Sequence, residues 1–275
     1  MKLRFVMASA LLALFAIAPL MHAQQADDAW KKLFTQGVYD AGQKDYTKAE
    51  QSLLGALHEA ERFGEKDVRV ASTENTIGLV YAAENKLGEA DKAYRRALAI
   101  FEAASGKQSL DVANVNFNIA TVMFNEGHQA EAMPYIRQAL QTYEGQLGGN
   151  SVKTASALCM QGDAFRAIRD YAAAEGPLRR CADIRESDGG VANPELADAV
   201  YSLALVYVGQ GKYALAEPRF KLAEKIREST LGLTSPLLAQ TLEDHAALLK
   251  SMGREKEAEK LSTLAAAIRR NQKKK

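Results

Sequence analysis

Apolar residues recur three or four apart along almost the whole chain beyond residue 30, and short polar breaks interrupt the recurrence at regular intervals. The stretch from Ala197 to Glu228 shows this most clearly. Val200, Leu203, Ala204 and Tyr207 form one stripe, Tyr213, Ala216, Phe220, Ala223 and Ile226 form another, and Gln210-Gly211-Lys212 separates them. Such stripes predict two amphipathic helices, and a glycine in so short a break lets the second fold back antiparallel on the first. One hairpin cannot bury both of its apolar faces, so neighbours of the same kind are expected.

The chain supplies five. The small residue in the middle of the first helix recurs at Gly37, Gly78, Ala120, Gly162, Ala204 and Ala246, with spacings of 41, 42, 42, 42 and 42. A second small position recurs with the same spacings at Ala49, Ala90, Ala132, Ala174, Ala216 and Ala258, and a third at Ala56, Ala97, Ala139, Cys181, Ala223 and Ala265. Self-similarity at a fixed period marks a repeat array. Small residues belong where helices cross, because only Gly or Ala lets two backbones approach closely. Larger residues then fill the space around each crossing, among them Leu53, Tyr94, Ile136, Leu178 and Phe220 on the second helices.

These residues resemble the tetratricopeptide repeat, and within it the 42-residue kinesin-light-chain type. The similarity is carried by Gly211-Lys212-Tyr213, Ala216-Glu217-Pro218 and Ala223-Glu224-Lys225-Ile226-Arg227-Glu228. The joins Leu231-Gly232-Leu233-Thr234-Ser235-Pro236 and Asn193-Pro194 add to it, with each proline expected to open the next helix. The resemblance implies an all-α, right-handed α-solenoid of about six helical hairpins over residues 24–270. The repeats are expected at about 30–66, 67–108, 109–150, 151–192, 193–234 and 235–270, with a basic tail over 271–275. Pro134, Pro177 and Pro218 fall inside second helices and predict slight bends.

Composition adds compartment rather than chemistry. Lys2 and Arg4 precede a run from Phe5 to Ala18 that is apolar but for Ser9, then Pro19 and a small residue at Ala23. This is the pattern of a secretory signal cut near Ala23, with a run too short to span a membrane comfortably. A periplasmic or secreted mature chain without a membrane span is expected. The 35 Lys+Arg nearly balance the 34 Asp+Glu, so nothing points to nucleic acid. An exported chain makes a Cys159–Cys181 disulfide conceivable. Cys181 occupies a position that is alanine in the other repeats, however, and reads as a small buried hydrophobe with a free thiol.

No catalytic, cofactor or metal constellation is visible. His58, His128 and His245 are scattered over different repeats without a repeated carboxylate or cysteine beside them, and no HExxH, GxSxG, CxxC or phosphate-cradling loop occurs. The reading is therefore a non-enzyme without cofactor or metal. The family's architecture implies a concave surface lined by first helices that holds a protein or peptide partner. Its candidate lining residues are Phe34, Asn75, Phe117, Asn118, Phe124, Arg166, Tyr201 and Lys250, apolar and aromatic at first and charged towards the C-terminal end. Only Asn75 and Asn118 match the Asn pair with which peptide-binding members hold a ligand backbone, and they stand in different repeats. The alternative is a self-assembling envelope protein that packs end to end, or as a dimer, through its terminal repeats.

Overall fold

The structure, a computed structural model, describes residues 24–189 and 192–272. Among them are twelve helices and no strand: α1 (residues 24–42), α2 (Tyr46–Glu61), α3 (Val68–Ala83), α4 (Leu87–Ser105), α5 (Leu110–Asn125), α6 (Gln129–Leu147), α7 (Val152–Ala167), α8 (Tyr171–Gly189), α9 (Pro194–Gly209), α10 (Tyr213–Leu231), α11 (Pro236–Ser251) and α12 (Glu255–Gln272). The expected secretory signal and the last three lysines of the tail lie outside the described residues. No described helix is long and apolar enough to cross a membrane.

The chain divides into one unit ending at Glu126 and a second beginning at Gly127. Within the first, α2 to α5 pack consecutively, and within the second, α6 to α12 do. All eighteen small positions of the repeat register are buried, and the glycines show why they must be small. A Cβ on Gly37 would lie 2.6 Å from Cγ of Leu53, one on Gly78 would lie 2.5 Å from Cε1 of Tyr94, and one on Gly162 would lie 2.4 Å from Cγ of Leu178. Each pair stands equally far from the turn between its helices, as an antiparallel hairpin requires.

That contact gives a prediction with opposite signs at two glycines. An Ala for Gly normally stabilises a helix by roughly 0.5–1 kcal/mol, and Gly145→Ala in the last turn of α6, whose Cβ meets nothing within 4 Å, should show this gain. Gly78→Ala should instead lose about 1–3 kcal/mol, because the ring of Tyr94 is buried and has nowhere to go. Urea denaturation of the two variants beside the parent reads both signs.

Helix ends follow the same register. Asp67, Ser109, Ser151 and Asn193 cap the first helices by accepting from the amides of Arg69, Val112, Thr154 and Glu195. Pro194 and Pro236 open α9 and α11, where a missing N–H costs nothing. The turn inside each hairpin needs one residue with positive φ, and it falls at Lys44, Asn85, Gly127, Arg169, Gly211 and Gly253. A side chain in that conformation is strained, so Arg169→Gly (φ 62°) should raise stability by roughly 0.5–1 kcal/mol. A thermal scan showing no gain would count against this account of the turn. Pro134, Pro177 and Pro218 sit past the first turn of their helices, and α6, α8 and α10 run on through them without a break.

One expectation is overturned. Cys159 and Cys181 are joined by a disulfide, with their Cα atoms 5.5 Å apart, within the range a bridge requires. Cys181 is indeed a fully buried small residue. The crossing of α7 and α8 brings its sulfur to Cys159, so no free thiol remains among the described residues.

Candidate protein-binding face

The first helices carry the candidate residues, and the structure sorts them by what each side chain touches. In the first unit, Phe34 of α1 is half-buried, stacks on Trp30 with ring centroids 5.3 Å apart, and packs against the core of Ala49, Leu53, Ile77 and Val80. It is a packing residue. Asn75 of α3 and Asn118 of α5 are brought together, the amide of Asn118 donating to Oδ1 of Asn75 at 2.9 Å. Phe117 and Phe124 on α5 are half-buried.

In the second unit, the Nε–H of Arg166 donates to Asp163 one turn back on α7 at 3.0 Å. Tyr201 on α9 is held from three sides. Its hydroxyl donates to Oδ2 of Asp244 at 2.6 Å, the guanidinium of Arg227 lies 4.5 Å from its ring centre, and Phe220 meets it edge-on at 6.1 Å. Burial and the Asp244 carboxylate both push the phenol above its ordinary range. Lys250 on α11 is exposed.

The register also hides residues that matter to this face. Val38 and Leu79 stand immediately after the small positions of α1 and α3, a place outside the candidate lining residues, and they are 46% and 48% exposed. With Ala41, Tyr46, Thr76, Val80 and Ala83 they line a cleft of about 270 Å³. Beside it on α1, the ring of Tyr39 is 62% exposed. Arg227 was also missed. It is almost wholly buried on α10 and donates to Asp198 at 2.7 Å, to the carbonyl of Leu237 at 3.0 Å and to Thr241 at 2.5 Å. Its signal in the sequence is the 42-residue spacing of Arg185, Arg227 and Arg269.

The histidines gain partners rather than a site. His245, buried on α11, lies with Nδ1 2.6 Å from Glu224 and stacks on Phe220 at 5.6 Å. Among the described residues no group of three or more His, Cys, Asp or Glu side chains is placed to hold a metal ion.

Consecutively packed helical hairpins in a fixed small-residue register are the architecture of an α-solenoid repeat protein. A tetratricopeptide repeat model matches residues 69–144, 111–187 and 195–271, more than half of the chain. The chain belongs to the tetratricopeptide repeat family.

No curated protein matches the chain. Solved structures with a similar fold include the nearly identical repeats of a putative kinesin light chain from Podosopora anserina, at 17% identity and a TM-score of 0.62, covering 76% of this chain and 98% of that one. A Rap protein complexed with competence and sporulation factor matches at 19% identity and a TM-score of 0.56, covering 88% and 75%. PilW, a widely conserved type IV pilus biogenesis factor, matches at 18% identity and a TM-score of 0.64, covering 86% and 92%. At these identities the likeness is one of fold.

Proposed function

We propose that the protein is an exported, non-catalytic interaction scaffold of the kinesin-light-chain repeat type, which holds a segment of a partner protein against the faces of its first helices. The observation that carries this reading is the apolar cleft between Val38 and Leu79. Its walls join two half-exposed aliphatic side chains to apolar neighbours in a concave lining, the kind of surface a partner's side chain can fill. The Rap structure, a member of the same fold in complex with competence and sporulation factor, supports a partner as the kind of thing bound. Export is supported by the basic and apolar pattern of the first 23 residues and by the Cys159–Cys181 bridge, since disulfides persist in oxidising compartments.

The test is capture of the partner from the cell envelope or the culture medium by cross-linking, repeated with Val38→Asp plus Leu79→Asp. Both side chains are half in water already, so the variant should keep its helicity and thermal midpoint while losing the partner. Unchanged recovery by the folded variant would refute the assignment of this face.

A further inference from the structure

Arg185 and Arg227 occupy the same place in consecutive repeats of the second unit, 42 residues apart on α8 and α10, and both are more than nine-tenths buried. Their surroundings differ at three places. Arg227 has a carboxylate, Asp198, at 2.7 Å, together with Thr241 and the ring of Tyr201. At the matching positions around Arg185 stand Ser156, Ala199 and the bridged Cys159. The Nη2 of Arg185 donates to Oγ of Ser156 at 2.6 Å, its Nε is buried without a partner, and among the described residues no carboxylate reaches the guanidinium. Nη2, the nitrogen through which Arg227 meets Asp198, carries a second hydrogen besides the one given to Ser156.

A buried charge without a counter-ion is costly, and proteins retain one chiefly where something external neutralises it. The neighbouring repeat shows what fits. The side chain of Asp198 is 64% exposed while that of Arg227 beneath it is 4% exposed, so a carboxylate at this place sits at the surface and caps the guanidinium from outside. We infer that the Arg185–Ser156 notch on the first-helix face of α7 receives a carboxylate from the bound partner segment, an Asp or Glu side chain taking the place that Asp198 fills one repeat on. This deepens the scaffold reading and rests on it, naming an acidic residue as a feature of the partner. The guanidinium offers two donors in a planar fork, the geometry a carboxylate matches.

The experiment has two arms. In the first, acetate is titrated into the folded protein while the arginine side-chain Nε–H signals are followed by NMR. The Arg185 signal should move and saturate, while that of Arg227, already paired, should not. Ser156→Asp, which supplies the missing carboxylate from within, should weaken acetate binding at Arg185 by roughly ten- to a hundredfold and raise the thermal midpoint. Asp198→Ser should make Arg227 respond as Arg185 does. An Arg185 signal indifferent to acetate, or equally moved in Ser156→Asp, overturns the inference.

In the second arm, a photo-crosslinking amino acid at Val152, 44% exposed on α7 one turn before Ser156, captures the partner with the parent and with Ser156→Asp. Recovery should fall at least about tenfold. Equal recovery overturns the partner as the source and leaves a free small carboxylate as the ligand. Failure of the parent to capture any partner, with the acetate response intact, would refute the scaffold reading and the partner source while leaving the notch itself established.

Discussion

Phe220→Ala should destabilise the protein by about 3–5 kcal/mol and should uncouple repeats that now unfold together. Phe220 is fully buried on α10, in a core cluster that also holds Leu178 of α8, Leu203, Ala204 and Tyr207 of α9, and Leu248 of α11. It also stacks on His245 and meets the edge of Tyr201. Three consecutive hairpins of the second unit therefore contribute to the one cluster that holds this ring. In a repeat array each unit is held largely by its neighbours, so loss of that ring removes interface energy on both sides. Denaturant unfolding followed by circular dichroism should show an earlier, broader transition, and native-state hydrogen exchange should show α11 and α12 losing protection first. Phe220→Leu, which keeps much of the volume, should show a much smaller shift. A single transition as steep as the parent's in Phe220→Ala would mean that the hairpins do not depend on this contact.

Removal of the disulfide should cost about 3 kcal/mol. The bridge spans 22 residues and joins the two helices of one hairpin, α7 and α8, so it limits how far that hairpin can open in the unfolded chain. The hairpin also has need of it. Gln161 on α7 occupies the place held by Ile77, Ile119 and Leu203 in other repeats, which leaves its core less apolar. The clean variant is Cys159→Ser with Cys181→Ala, because alanine is what the other repeats carry at the second position. The variant and the reduced parent should unfold at the same, lower denaturant concentration, and reductant should leave the variant unmoved. A parent insensitive to reductant, with thiols shown to be free, would contradict the role assigned to the bridge.

The repeat and its crossings were legible because backbone approach permits so little. A Cβ at Gly78 or Gly162 has no space, and Asp67, Ser109, Ser151 and Asn193 cap helix starts that recur every 42 residues, so composition at these places is dictated by local geometry. The binding face was less legible because an outward position on one helix has two possible fates, solvent or the next repeat. Phe34 turned to the core, Asn75 and Asn118 bonded to each other, and Tyr201 was tied to Asp244 and Arg227. Val38 and Leu79, one residue past the small positions, reached water instead. Which fate applies depends on how one hairpin sits on the next, and helical spacing alone does not contain that. The disulfide escaped for a related reason. Cys181 fits the alanine register so well that only the distance to Cys159 across the hairpin reveals its second role.

A partner protein lying on the first-helix face should be caught by a photo-crosslinking amino acid placed at Leu79, with the same group at Gln51, exposed on the second helix α2, as the comparison. In the native compartment, the position at Leu79 should yield one dominant adduct that disappears with Val38→Asp, and the position at Gln51 should not yield it. Equal adducts from both positions, or an adduct at Leu79 indifferent to Val38→Asp, would contradict the account.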